Sequence, residues 1–308
     1  MSHVIAIDLG SNSIRFLEMD CTQGHPVATF HRTVKTADGL AQTGQISPEA
    51  VDRVVDAIID AKSVLGFDRA WLIRAVTTEA IRQASNGDVV LQEIFDRTQI
   101  RFDVIDGEDE ARYARIATEH RLRLLGEEPK SFLIADIGGG STELIFSYGD
   151  RHISKSFKIG IVTLTQSHQG IESIRLSIPK LMQEMRSFTQ EVYAEYGKVE
   201  LFVAMAGTPT TVAAMKLGML YETYDPEVIH GTRLSRQDLT TQMQRLLSMP
   251  EDERTKMVGV GREDLIASGI LIYDEIYEMT GFEDSIVIDD GVREGVAYAT
   301  CKERLKAI

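Results

Sequence analysis

The feature that most constrains this chain is an internal repeat: an apolar run closed by an aspartate and a glycine turn. Val4-Ile5-Ala6-Ile7-Asp8-Leu9-Gly10 opens the sequence, and Phe132-Leu133-Ile134-Ala135-Asp136-Ile137-Gly138 repeats it. Setting Asp136 on Asp8 (136 − 8 = 128 residues) pairs Leu9 with Ile137, Gly10 with Gly138 and Ser13 with Ser141. Each copy leads into two further strand-like segments, Ile14–Met19 and Val27–Thr33 in the first, Glu143–Tyr148 and Arg151–Phe157 in the second. An apolar run with no polar alternation reads as a buried strand. A buried strand plus a meander, occurring twice, predicts two related domains. The length of 308 residues also exceeds what one core usually serves.

Helical patterns alternate with these strands. Ser47 as N-cap, Pro48 at the first helical position and Glu49 in the first turn start a helix that Gly66 ends. A strand over 70–76, helices near 78–84 and 87–98, a strand over 102–105 and a helix over 108–125 follow. Gly126-Glu127-Glu128-Pro129 is a polar, turn-forming break, so domains are expected at 1–125 and 126–308. The second half adds a long helical stretch over 173–196, a strand over 199–205, helical patterns around 211–217, 235–247 and 262–279, a strand over 285–288, and a closing helix over 293–305. The expected class is α/β, with strands alternating with helices in both halves.

A net charge of −14 repels nucleic acid and anionic lipid at long range, so neither is expected as a partner. No apolar run is long enough for a spanning helix, and the first residues lack the basic and apolar regions of a leader. Cys21 and Cys301 are too few for a disulfide scaffold and have no metal-binding spacing. They are expected as free thiols in a reducing cytoplasm. A homodimer is kept as an open expectation for the assembly.

The two glycine turns are the first candidates for chemistry. Asp8-Leu9-Gly10-Ser11-Asn12-Ser13 and Asp136-Ile137-Gly138-Gly139-Gly140-Ser141-Thr142-Glu143 each put a carboxylate at a strand end and small donor residues after it. Glycine lets backbone N–H groups approach and surround a phosphate. Facing each other across a cleft, the two turns would grip one phosphate chain. Asp8 and Asp136 would repel that anion unless they hold Mg²⁺ or another divalent cation, with Glu143 near the same ion. The acids Glu108, Asp109 and Glu110 open a helix, where they also suit the macrodipole without any catalytic role. Arg82, in Thr77-Thr78-Glu79-Ala80-Ile81-Arg82, is equally consistent with an ordinary surface arginine.

Eight motifs in one order decide between these readings. They are DLGSNS at 8–13, RAVTTEAIRQASN at 74–86, GxxEAR at 107–112, DIGGGSTE at 136–143, AGTPTTVAA at 206–214, HGTRL at 230–234, RxDLxxxG at 262–269 and DDGVREG at 289–295. Together they cover essentially the whole chain and resemble the exopolyphosphatase/guanosine pentaphosphatase (Ppx/GppA) family. The resemblance implies two related domains of the actin/sugar-kinase/heat-shock-ATPase superfold (ribonuclease H-like) around a central cleft, with the last helix packed on the first domain. It implies a hydrolase that releases a terminal phosphate from inorganic polyphosphate, or alternatively from guanosine pentaphosphate in the stringent response. Glu110 matches the base that orients water, and Glu143 a second essential acid acting through a divalent ion. Asn12, Ser13, Gly139, Gly140 and Ser141 match phosphate-loop positions, with Ser11 and Gly138 in the same turns, and Arg82 matches a phosphate-binding arginine. Thr208 lies where proteins of the superfold bind adenosine. Two departures stand out: Ile161 replaces a serine found in many relatives, and the chain ends before the helical C-terminal region of the longer forms, which points to shorter polyphosphate or a nucleotide. Two rival readings remain, an ATP-dependent kinase of the same superfold and a sensor that binds these phosphates without hydrolysis.

Overall fold

The computed structural model describes residues 3–306. Its first half runs β1 (His3–Leu9), β2 (Ser13–Asp20), β3 (His25–Thr33), α1 (Leu40–Thr43), α2 (Pro48–Val64), β4 (Ala70–Thr77), α3 (Glu79–Gln83), α4 (Gly87–Thr98), β5 (Phe102–Val104) and α5 (Gly107–Leu124). Next come β6 (Ser131–Ile137), β7 (Thr142–Tyr148), β8 (Arg151–Phe157), α6 (Ile161–Ser167), α7 (Ile171–Leu181), α8 (Gln183–Tyr196), β9 (Leu201–Met205) and α9 (Gly207–Lys216). The chain closes with α10 (Pro226–Ile229), β10 (Arg233–Ser235), α11 (Arg236–Ser248), α12 (Glu251–Val258), α13 (Glu263–Thr280), β11 (Asp284–Val287) and α14 (Val292–Lys306).

The chain divides into two compact units, Met1–Ala117 with Asp290–Ile308, and Thr118–Asp289. The division falls inside α5, whereas the sequence reading puts it in the turn after Leu125. A continuous helix carries no compositional break, so local patterning offers no sign of this join.

In the first unit the sheet order is β3-β2-β1-β4-β5, with β1, β4 and β5 parallel and the β1-β2-β3 meander antiparallel. In the second it is β10-β11-β9-β6-β7-β8, with β6, β9 and β11 parallel and the β6-β7-β8 meander antiparallel. From β8 to β11 this repeats the order of the first sheet, and β1 and β6 have the same burial pattern along their seven residues. Both strands sit inside their sheets and are covered on both faces, which is why neither shows polar alternation. The third meander strands, β3 and β8, lie at sheet edges and are far more exposed.

Ile5, Ile7 and Leu9 pack with α2 and α4 on one face of the first sheet. Val4 and Ala6 pack with Val296, Ala297 and Cys301 of α14 on the other. Helix α2 starts as its sequence dictates, Ser47 Oγ accepting from Ala50 N–H at 3.3 Å ahead of Pro48. In the second unit Leu133, Ala135 and Ile137 of β6 join a core with Ile266, Ile270 and Tyr273 of α13.

Two expectations are corrected here. The stretch over 173–196 is two helices, α7 and α8, broken at Met182. Pro179 inside α7 removes a donor and crowds the preceding turn, which weakens the helix just before the break. The two cysteines are not free thiols: Cys21 and Cys301 form a disulfide, with Cα atoms 5.1 Å apart across 280 residues of sequence. Packing of α14 against β1 and β2 brings them together, which no spacing rule could disclose. The pairing also removes the cysteine-based argument for a reducing compartment. Among the described residues no helix is long and apolar enough to cross a membrane.

Candidate active site

Parallel strands place the candidate residues of each unit at one end of its sheet. In the first unit Leu9 pairs with Thr77, and Thr77 with Val104, so the loops after β1, β4 and β5 emerge side by side. Ligands in open α/β sheets bind at such carboxyl ends. Glu110 lies in the first turn of α5, whose start is fixed by Asp106 Oδ1 accepting from Asp109 N–H at 2.9 Å. Arg82 Nη1 donates to Glu110 Oε1 at 2.7 Å and also to the carbonyl of Ile105. Its Nη2 donates to Glu79, which Gln83 also holds. The structure therefore joins Arg82 and Glu110, predicted separately, and adds Glu79, which sequence reasoning missed although it lies in the same motif.

The two glycine turns close with the same bond. Gly10 N–H donates to Ser13 O at 3.0 Å, and Gly138 N–H to Ser141 O at 2.9 Å. Ser11, Asn12, Gly139 and Gly140 are exposed at the turn tips, with Ser13, Gly138 and Ser141 partly covered. The second turn is braced from behind, Ile161 N–H donating to Gly138 O at 3.0 Å and Val162 N–H to Gly139 O at 2.8 Å. A Cβ on Gly160 would lie 2.4 Å from Gly139 O, so only glycine permits this approach. Ile161 itself is buried and packs into the core.

Cross-strand register sets the charges beside each turn. In the first unit Asp8 stands opposite Arg15, and Arg15 opposite His31. In the second unit Asp136 stands opposite Glu143, and Glu143 opposite Ser156. Burial pushes the Asp8 carboxyl above its ordinary value, against the pull of Arg15 and Arg293 and with the repulsion of Glu294. Burial, Arg15 and Arg293 together push His31 down. Glu294 is also pushed up by burial, but Arg293 and the Gly291 N–H, which donates to it at 2.8 Å, hold it below its ordinary value. Arg15, Arg293 and Glu294 are therefore site neighbours that sequence reasoning passed over; the last two fall within the DDGVREG motif.

These surroundings bear on a cation. Asp8 feels Arg15 and Arg293, but burial outweighs their pull. Asp136 and Glu143 stand directly opposite on adjacent strands, which sets two carboxylates side by side. Among the described residues no cluster of three or more His, Cys, Asp or Glu side chains is poised for a metal. Mg²⁺ commonly takes one or two carboxylates and completes its shell with water and phosphate, so the Asp136–Glu143 pair fits it and a protein cage is not required.

Thr208, which the resemblance sets where proteins of the superfold bind adenosine, presents no exposed side chain. It is fully buried at the start of α9, its hydroxyl has no hydrogen-bond partner among the described residues, and a Cβ on Gly269 would come within 2.1 Å of it. The turn before it is shaped by Ala206 at φ 69° and by Arg262, whose Nη2 donates to Gly207 O at 3.1 Å and Thr211 Oγ1 at 3.0 Å.

The model of the Ppx/GppA phosphatase family matches residues 19–304. The chain belongs to that family. It is 29% identical to Exopolyphosphatase 2 of Mycobacterium tuberculosis over 97% of this chain and 98% of that protein. It is 30% identical to a guanosine-5'-triphosphate,3'-diphosphate pyrophosphatase of Photobacterium profundum over 95% of this chain but 58% of that protein. The crystal structure of the Aquifex aeolicus Ppx/GppA family member superposes with a TM-score of 0.80 at 27% identity, covering 99% of this chain and 98% of that one. The doubled α/β architecture is thus that of Ppx/GppA proteins.

Proposed function

We propose that this protein is a phosphoanhydride hydrolase that releases the terminal phosphate of inorganic polyphosphate, with Glu110 orienting the attacking water. The observation that carries the reading is the Arg82–Glu110 pair at the start of α5. A phosphate taken up by Arg82 arrives beside a carboxylate that can align water and accept its proton. Phosphoryl transfer asks the protein mainly for such positioning and for charge stabilisation. Ser11–Ser13 in the first unit, and separately Gly138–Ser141 in the second, offer N–H and hydroxyl donors suited to phosphate oxygens. Asp136 and Glu143 would hold the divalent cation, which when bound offsets charge on the phosphate oxygens. Asp8 lies at the base of the first turn, within electrostatic reach of Arg15 and Arg293.

Polyphosphate is preferred as substrate because the likeness to Exopolyphosphatase 2 runs the full length of both chains. Guanosine pentaphosphate is the second reading, favoured by the likeness to the guanosine-5'-triphosphate,3'-diphosphate pyrophosphatases, of which this chain spans under three fifths. The test is phosphate release with Mg²⁺ from polyphosphate and from guanosine pentaphosphate, side by side with Glu110→Gln. We expect release from polyphosphate and a loss on the order of 10²–10⁴ in the variant. Full turnover by folded Glu110→Gln would defeat the assignment, and tight binding of both compounds without release would make the protein a sensor.

A further inference from the structure

Glu143 Oε1 accepts two hydroxyl hydrogen bonds, from Ser141 Oγ at 2.7 Å and from Ser156 Oγ at 2.6 Å. The donors come from different places. Ser141 closes the glycine turn, its carbonyl accepting from Gly138 N–H, whereas Ser156 stands on the edge strand β8 directly opposite Glu143. Ser156 is exposed, and serine is an indifferent strand former, so packing does not account for it.

A serine hydroxyl has one hydrogen to donate. If Ser141 gives its hydrogen to a phosphate oxygen in the turn, it cannot give it to Glu143 at the same time. Ser156, which belongs to the sheet and not to the phosphate turn, can go on donating to Glu143. The equivalent position in the first unit, opposite Arg15, is His31, so this hydroxyl accompanies only the copy that carries the acidic pair.

We propose that Ser156 is a positioning residue that holds the Glu143 carboxylate in one orientation while Ser141 engages phosphate. The proposal rests on the reading of Glu143 as the carboxylate that meets the cation. Hydrogen bonds of this kind to a metal-binding carboxylate are typically worth about 10–100-fold in metal affinity or activity.

The test compares wild type, Ser156→Ala, Ser156→Thr and Glu143→Gln as full chains. The readouts are kcat and KM for phosphate release, thermal midpoint, and Mn²⁺ affinity by electron paramagnetic resonance. Ser156→Ala is expected to lower kcat and weaken Mn²⁺ binding, each by about 10–100-fold, with KM and thermal midpoint little changed. Ser156→Thr keeps the hydroxyl and suits a strand, and is expected to restore both. Wild-type kcat and Mn²⁺ affinity in Ser156→Ala, alongside an inactive Glu143→Gln, would overturn the role of Ser156 alone. Wild-type turnover in Glu143→Gln would overturn the reading of Glu143 on which it rests.

Discussion

Replacing Gly295 by alanine sets two effects of opposite sign against each other. Gly295 is near the start of α14, where alanine is intrinsically better than glycine by about 1 kcal/mol. Propensity alone therefore predicts a more stable protein. The packing predicts the reverse. A Cβ on Gly295 would lie 1.9 Å from the carbonyl oxygen of Tyr113 in α5, and real Cβ atoms essentially never approach closer than 3.0 Å. The two backbones must part by at least 3.0 − 1.9 = 1.1 Å. No flexible side chain can yield instead, because the obstructing atom is main chain. A gap of about 1 Å forfeits up to about half of the dispersion attraction across a contact. The atoms affected include Val296 and Ala297, both fully buried. The disulfide at Cys301, six residues on, prevents the helix from lifting away as a whole. Overpacking that forces backbone shifts costs about 1–3 kcal/mol and occasionally more; with main chain obstructing, the upper end applies, and after the propensity gain of about 1 kcal/mol the net effect is a destabilisation of about 2 kcal/mol. At roughly 2–8 °C per kcal/mol, thermal unfolding reads it directly. A Gly295→Ala protein as stable as wild type, or more so, would refute the packing argument.

Other outcomes follow from the same structure. Reducing Cys21–Cys301, or replacing both by serine, should lower stability by about 2–5 kcal/mol in urea titrations; the chain-entropy limit for a closure of 280 residues is about 5–6 kcal/mol, and residual structure in the unfolded chain lowers it. Equal urea midpoints with and without reductant would contradict the pairing. Glu18 is fully buried; burial pushes its carboxyl up, but the Gly66 N–H at 2.8 Å, His3 and Arg69 outweigh this and hold it below its ordinary value. Its folded value being the lower one, it adds stability above the ordinary glutamate range, and that contribution is lost as pH falls through the folded value. Glu18→Gln should accordingly flatten the acid limb of stability against pH, measured as urea midpoints from neutral to about pH 3. An unchanged slope would mean that Glu18 is not held in this way. Gly160→Ala should disturb the Gly138–Ser141 turn, since its Cβ would press on Gly139 O at 2.4 Å. The expected sign is a loss of phosphate release out of proportion to any change in thermal midpoint, and parallel losses would point to general destabilisation.

Much of this protein is written locally. β1 and β6 are legible because a strand covered on both faces needs apolar residues at every position, and α2 because Ser47, Pro48 and its apolar stripe are consecutive signals. The doubled architecture follows from the same apolar run occurring twice. Glu110, Glu143 and the two glycine turns stand out as candidates for a related reason, as each sits in a short contiguous motif whose order along the chain is informative.

What only the tertiary structure decided involves partners far apart in sequence. Register put Arg15 opposite Asp8 but Glu143 opposite Asp136, so two similar turns acquired different neighbouring charges. Helix packing joined Cys21 to Cys301 and buried the Thr208 hydroxyl under Gly269. Strand pairing brought Ser156 to Glu143, and loop placement brought Arg82 to Glu110. Local sequence records periodicity and turn chemistry, which depend on neighbours in the chain. Register, helix docking and the electrostatics of a site depend on which distant surfaces bury each other, and that is settled only when the cores form.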